Sequence, residues 1–245
     1  MKVEIKDYER VDDLHRNGYM LIQDPKRFCF GVDAVLLSGF ATAKKGDKVL
    51  DLGTGTGVIP ILMSAKTKAE HFSALEIQPE SAEMAKRSVM LNDLQDKIDI
   101  IEGDIKKAAE IFKPSSFDVI TTNPPYMNFE GGIKNSYDPK TIARHEVLCS
   151  LDDVAFAAQR LLKFGGRFFM VHRPHRLTDI MCVLREHKLE PKRIRFVQPY
   201  ADREPNMVLV EAVRSGKPMI KVMPTLVIYN SDGTYTQETL DIYYN

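Results

Sequence analysis

Excess charge is the first thing this 245-residue chain lacks: 34 Lys and Arg stand against 34 Asp and Glu, so overall composition gives no electrostatic reason to expect a nucleic acid or a membrane surface as partner. Paired cysteines are lacking too. Cys29, Cys149 and Cys182 are far apart and never form CxxC, which argues against a disulfide framework and a zinc cage and leaves buried or half-buried thiols as the expectation. No apolar run approaches the ~20 residues that span a bilayer. The start, Met1-Lys2-Val3-Glu4-Ile5-Lys6-Asp7, has no apolar core of a signal peptide, so a cytoplasmic protein without a membrane partner is expected. Internal repeats and low-complexity tracts are missing as well. With 44% hydrophobic residues the chain can bury a full core. It reads as one domain, with a lead-in over 1–27, a core over 28–213 and a C-terminal extension over 214–245 whose role stays open.

Charge is uneven locally. Between Arg160 and Arg195 ten basic residues face three acids, Asp179, Glu186 and Glu190. A solvated helix face with charged loops and a phosphate-facing surface are both compatible with that excess.

The lead-in is polar, and Arg16-Asn17-Gly18-Tyr19 suggests a turn or hairpin. Phe28-Cys29-Phe30-Gly31-Val32-Asp33 opens a helix over 34–43. Then short strands and helices alternate. Strands are expected at 49–52, 72–77, 98–101, 117–122 and 167–171; helices are expected from Gly57, and over 79–91, 105–112, 151–162 and 175–187. Gly165-Gly166 reads as the cap of the helix over 151–162. Two last strands, 193–197 and 207–213, have no helix between them. The alternation predicts an α/β fold with a mostly parallel sheet, helices on both faces and an antiparallel pair at the end.

Chemistry concentrates at the ends of these strands, the edge at which open α/β sheets bind ligands. Asp51-Leu52-Gly53-Thr54-Gly55-Thr56-Gly57 follows the first strand and opens a helix. Its GxGxG spacing differs from the GxGxxG of a dinucleotide loop. Asp51, two residues before the first glycine, repels a pyrophosphate and attracts an ammonium group, which points to S-adenosylmethionine. Glu76 ends the second strand, where it can accept from both ribose hydroxyls, and Ile77 can cover an adenine face. Gly103-Asp104-Ile105 ends the third, where Asp104 can accept from the adenine amine. His172 and His175 bracket Arg173-Pro174 after the fifth strand and read as a solvated pair.

Asn123-Pro124-Pro125-Tyr126 follows the fourth strand, cut off sharply by two prolines. With these motifs in place, the core over 28–213 resembles the Rossmann-like (class I) S-adenosylmethionine-dependent methyltransferases, and Asn-Pro-Pro-Tyr matches the [DNS]PP[FYW] signature of their amino-group branch. The lead-in Arg16-Asn17-Gly18-Tyr19, the run Phe28 to Leu37 and the tail Leu226-Val227-Ile228-Tyr229-Asn230 are similar to the bacterial group that methylates adenine N6 in the anticodon loop of tRNA(Val). The resemblance implies a seven-stranded sheet with its last strand antiparallel, a tRNA substrate, and a role for Phe30 and Asp33 in closing over the methionine end of the cofactor.

An exocyclic aromatic amine is a poor nucleophile because its lone pair is delocalised into the ring. Acceptors at both N–H groups favour a tetrahedral nitrogen and stabilise the charge that develops. The Asn123 side-chain oxygen and the Pro124 carbonyl can be those acceptors, with Tyr126 stacked on the base. The segment Phe129 to Tyr137 reads as a loop beyond the site. Other planar amines compete as substrates: guanine N2 of ribosomal RNA, a DNA adenine and a glutamine amide. The DNA and glutamine enzymes bring substrate domains for which this chain has no room. A non-catalytic cofactor-binding module and a dehydrogenase are further alternatives, opposed by the intact Asn-Pro-Pro-Tyr and by Asp51 respectively.

Overall fold

The computed structural model describes residues 3–27, 29–124 and 149–244. Its lead-in is a hairpin, β1 (Arg10–Asp13) antiparallel to β2 (Met20–Gln23), with Arg10 opposite Gln23. The main body then runs α1 (Val32–Phe40), β3 (Lys48–Leu52), α2 (Val58–Lys66), β4 (His71–Glu76), α3 (Pro79–Leu91), β5 (Ile98–Glu102), α4 (Ala108–Ile111), β6 (Phe117–Thr122) and α5 (Leu151–Leu161). It continues through β7 (Leu162–His172), α6 (Leu177–Glu186), β8 (Leu189–Gln198) and β9 (Met207–Arg214), and closes with β10 (Lys221–Val222), β11 (Leu226–Val227) and α7 (Gln237–Tyr244).

Nine of these strands form one sheet in the order β10-β8-β9-β7-β6-β3-β4-β5, with β11 also on β8. Strands β3 to β7 are mutually parallel, and β9 runs antiparallel between β7 and β8. Successive strand side chains serve opposite faces. In β7, Phe169 and Val171 join the cluster under α1, α2 and α3, whereas Phe168 and Met170 join the one under α4, α5 and α6. All four are fully buried. Burial on this scale is worth about 1.5–3 kcal/mol for each large side chain and holds the strand ends in fixed relation.

Local chemistry sets the element ends. Ser150 and Asp153 form a reciprocal capping box at the start of α5: the Ser150 hydroxyl accepts from Asp153 N–H at 3.2 Å and the Asp153 carboxylate accepts from Ser150 N–H at 2.8 Å. The lead-in hairpin is clamped to α3 by side chains that satisfy its backbone. Ile22 N–H donates to Ser88 Oγ at 3.0 Å, and Met20 N–H to Asn92 Oδ1 at 2.7 Å.

Several boundaries differ from the sequence reading. The first helix of the core ends at Phe40 rather than at residue 43, and the last begins at Leu177 after a 3-10 turn over Pro174–Arg176. Residues 105–107 are also a 3-10 turn, followed by the single turn of α4. The strand expected at 167–171 starts at Leu162, so Gly165 and Gly166 belong to it and do not cap the helix. A Cβ on Gly166 would stand 2.9 Å from the Lys163 carbonyl oxygen and 3.2 Å from that of Asp118, a close backbone approach at an irregular register. The antiparallel pair is not the sheet's edge, because β10 and β11 add to β8 and raise seven strands to nine. Cys29 and Cys149 are half-buried but Cys182 is exposed. Among the described residues no helix is long and apolar enough to cross a membrane.

Candidate active site

From β3 the sheet grows one way through β4 and β5 and the other way through β6 and β7. This reversal opens a crevice beyond the strand ends. Leu52 pairs with Thr122, so the chain leaves β3 into Gly53 and leaves β6 into Asn123 at the same level of two neighbouring strands. The glycine loop and the Asn-Pro stretch, some 70 residues apart in sequence, therefore meet.

The loop turns back over β4. Gly53 N–H and Thr54 N–H both donate to the Leu75 carbonyl, at 2.9 and 3.0 Å. Gly53 and Gly55 hold φ of 75° and 58°, the left-handed region that a side chain disfavours. Gly57 serves packing, since a Cβ there would lie 3.3 Å from that of Ala85 in α3. Glu76 is 5% exposed, and both its oxygens are engaged: Oε2 accepts from Gly55 N–H and Oε1 from Gln78 N–H, each at 2.8 Å. The carboxylate is thus rigidly aimed, and each oxygen keeps a lone pair for a hydroxyl.

Asp51 is fully buried. Its Oδ1 accepts from the Thr121 hydroxyl at 2.6 Å, while Oδ2 is buried with no hydrogen-bond partner among the described residues. Burial pushes its carboxyl up to about 6; the Thr121 hydroxyl opposes that rise and the Glu76 charge adds to it. The neighbouring Thr54 also pulls the value down, although its Oγ1 has no hydrogen-bond partner among the described residues; burial outweighs both hydroxyls. Thr121 was not among the residues expected from sequence; only its inward position in the strand hints at it.

This arrangement suits S-adenosylmethionine. A cation would satisfy the orphaned oxygen of Asp51, and a Cβ on Gly55 would meet nothing within 4 Å, so the backbone there is open to a ligand. Asp104, half-buried, accepts from Lys106 N–H at 2.9 Å and so caps the following turn. Ile105 packs on the core, its Cδ1 3.8 Å from where a Gly53 Cβ would be. Ile77 is half-buried just past Glu76.

On the opposite wall, Phe30 packs against the core beside α1, and its N–H donates to Gln23 Oε1 at 2.8 Å. Asp33 stands in the first turn of α1, its Oδ1 accepting from Ala34 N–H at 2.9 Å. Its Oδ2 accepts from the side-chain amide of Asn123 at 3.1 Å, a contact that sequence spacing could not disclose. Pro124 is half-buried next to it. Tyr126, and the loop expected over Phe129 to Tyr137, lie outside the described residues.

The solvated histidine pair expected after the fifth strand of the core is only half right. His175 is exposed, but His172 is 5% exposed, and burial, aided by the nearby Arg176, lowers its pKa to about 4. It stays neutral at pH 7. Nor is the basic run a single surface. Lys163 pairs with Asp118, Arg167 with Asp47, Arg185 with Glu190, Arg193 with Glu211 and Arg195 with Glu238. Of the ten, Arg173 and Arg176 follow the ligand-edge end of β7.

The strand order and the cradle at the switch point define a Rossmann-like class I methyltransferase. The chain belongs to the family described as the methyltransferase small domain, whose model matches residues 30–187. Among its relatives, one from Histophilus somni named tRNA1(Val) (adenine(37)-N6)-methyltransferase is 30% identical, covering 91% of this chain and 93% of its own. A relative of the same name from Porphyromonas gingivalis is 29% identical over 85% of this chain and 84% of its own. Among solved structures, a predicted O-methyltransferase from Agrobacterium tumefaciens superposes with a TM-score of 0.70 at 21% identity, over 86% of this chain and 95% of its own. Geranyl diphosphate C-methyltransferase from Streptomyces coelicolor, solved with S-adenosyl-L-homocysteine, gives 0.53 at 13% identity, over 74% and 79%.

Proposed function

We propose that the protein methylates the N6 amine of an adenine in the anticodon loop of a tRNA, with S-adenosylmethionine as donor. The observation that carries this reading is the Asn123 side chain, held by Asp33 at the strand end beside the glycine loop. The names of the relatives point to the same reaction.

S-adenosylmethionine, when bound, supplies an electrophilic methyl group on a sulfonium. Asp51 takes its ammonium end, Glu76 its ribose hydroxyls, and Asp104 with Ile77 and Ile105 its adenine. Phe30 and Asp33 close the methionine side. With the Asn123 amide nitrogen donating to Asp33, the side-chain oxygen is the group that accepts from the substrate amine. The Pro124 carbonyl accepts the second N–H, and Tyr126 stacks on the base. The methyl group would end bonded to the amine nitrogen, its former S–C electron pair remaining on sulfur, and the extra proton on nitrogen would leave to water between the two acceptors. No strong base is needed, because the two acceptors stabilise the positive charge that builds on nitrogen. A loop adenine costs less to extrude than a paired one.

Nucleoside mass spectrometry of tRNA from a strain lacking the protein tests the substrate. Loss of N6-methyladenosine is expected; an unchanged tRNA profile with loss of a methylated guanine from ribosomal RNA would replace this reading. In vitro, Asn123→Ala is expected to lower kcat by about a hundredfold or more while S-adenosylmethionine affinity stays within about twofold.

A further inference from the structure

Four tyrosine rings, one in the β8–β9 loop and three in the C-terminal extension, form a ladder. Tyr200 lies 5.5 Å from Tyr229 at 34°, Tyr229 5.2 Å from Tyr235 at 14°, and Tyr235 5.4 Å from Tyr243 at 24°. None of the steps toward methyl transfer described above uses them. Their location does concern it. β8 runs parallel to β7, and β11 parallel to β8, so the β8–β9 loop that carries Tyr200 and the residues after β11 emerge at the edge where Asn123 stands. Tyr229 N–H donates to the Pro199 carbonyl at 2.9 Å and so ties the second rung to that loop. At the far end, the phenol of Tyr243 is raised chiefly by burial, and the Asp33 carboxylate is among the charges that add to the rise. One aspartate thus holds Asn123 and lies within electrostatic reach of Tyr243.

The inner rungs are anchored. Tyr229, Tyr235 and Tyr243 are half-buried against the core under α1. Tyr200 ends the row, is 36% exposed, and has no further ring stacked beyond it among the described residues. Around it the exposed Arg203 is outnumbered by exposed Asp202 and Glu204, so this surface is aromatic with a slight acidic excess rather than cationic. A flat aromatic end without excess positive charge suits an unpaired base better than the phosphates of a duplex.

Resting on the function proposed above, we infer that Tyr200, braced by the ladder, stacks on an unpaired nucleobase of the same RNA loop that presents the adenine to Asn123. A single base stack is worth enough to change RNA affinity by about tenfold and is tolerant of base identity.

The test uses the full chain and synthetic anticodon stem-loop RNAs in which 2-aminopurine replaces, one at a time, the unpaired loop bases other than the target adenine. Wild type is expected to change the 2-aminopurine fluorescence on binding. Tyr200→Ala should abolish that change and raise KM for RNA about tenfold, with kcat, S-adenosylmethionine affinity and melting temperature unaltered. Tyr200→Phe, which keeps the ring, should stay within about twofold of wild type. A Tyr200→Ala enzyme with wild-type KM and fluorescence response overturns the inference, as does a Phe variant as poor as the Ala variant. Tyr200-dependent fluorescence without methyl transfer to adenine would support the stacking role and sink the adenine reading, so the two fail separately.

Discussion

Asn123 donates its side-chain amide to Asp33 Oδ2 at 3.1 Å, joining the end of β6 to the first turn of α1 across 90 residues of sequence. An asparagine amide has two chemically different ends, and fixing the nitrogen fixes where the oxygen points.

Two substitutions at Asp33 separate that positioning effect from a direct effect on the cofactor. Asp33→Ala removes the acceptor and is expected to lower kcat about tenfold or more, because the Asn123 oxygen loses its orientation. Asp33→Asn keeps an oxygen for the Asn123 amide but removes the charge. Recovery of kcat in the Asn variant, with both variants weakening S-adenosylmethionine binding alike in calorimetry, is the expected pattern. Equal kcat in the two variants would show that the charge, not the contact, matters.

One guanidinium pins the segment that leads into the hairpin. Arg87 is 9% exposed and donates to both oxygens of Glu9, at 2.6 and 2.7 Å, to both oxygens of Glu83, at 2.7 and 2.8 Å, and to the Glu4 carbonyl at 2.8 Å. Removing one partner of such a buried pair strands the other charge, so Arg87→Ala should cost about 3–5 kcal/mol in urea unfolding. Lysine cannot reproduce the fork and should recover little of the loss. The hydrogen bonds from Arg87 hold Glu9 and Glu83 below the ordinary glutamate range. Lowered carboxyl values mean stability present above the ordinary ~4.3 and lost as pH falls through the folded value. The gap between wild type and Arg87→Ala should therefore narrow in acid; a gap constant down to pH 3 would contradict the ion-pair account.

Much of the fold and cradle was legible because it is local. Asp51, Glu76, Asp104 and Asn123 each follow a short apolar run, and a parallel sheet brings all such ends to one edge whatever the details of packing. The unread parts are non-local or too short. β10 and β11 have two residues each, below any period-2 signal, and they exist because β8 offers a free edge. The tyrosine ladder follows no helical or strand spacing, as it is assembled from a hairpin loop, a β-bridge and a terminal helix. His172 reads as a solvated residue because it brackets Arg173-Pro174 with His175, but its strand continues to that residue and buries it.

If Asp51 holds the ammonium end of S-adenosylmethionine as proposed, one proton links binding and stability. Burial raises its carboxyl to about 6, about two units above the ordinary value near 3.9, which amounts to about 3 kcal/mol between protonation states. A raised value means that the stabilising contribution is complete below ~3.9 and is lost as pH climbs through 6. The ligand-free protein therefore carries a buried, half-satisfied charge at pH 7. Asp51→Asn should melt higher than wild type at pH 7, by up to about 3 kcal/mol less what the new amide leaves unbonded, and should gain nothing below pH 3.5. Binding runs the other way. An ammonium needs the ionised carboxylate, so affinity for S-adenosylmethionine should rise about tenfold from pH 5 to pH 6.5 and then level off, with close to one proton released on binding at pH 5. Calorimetry in two buffers of different ionisation enthalpy reads that proton directly. The Asn variant should bind weakly with a flat profile; the same slope in wild type and variant would place the titrating group elsewhere.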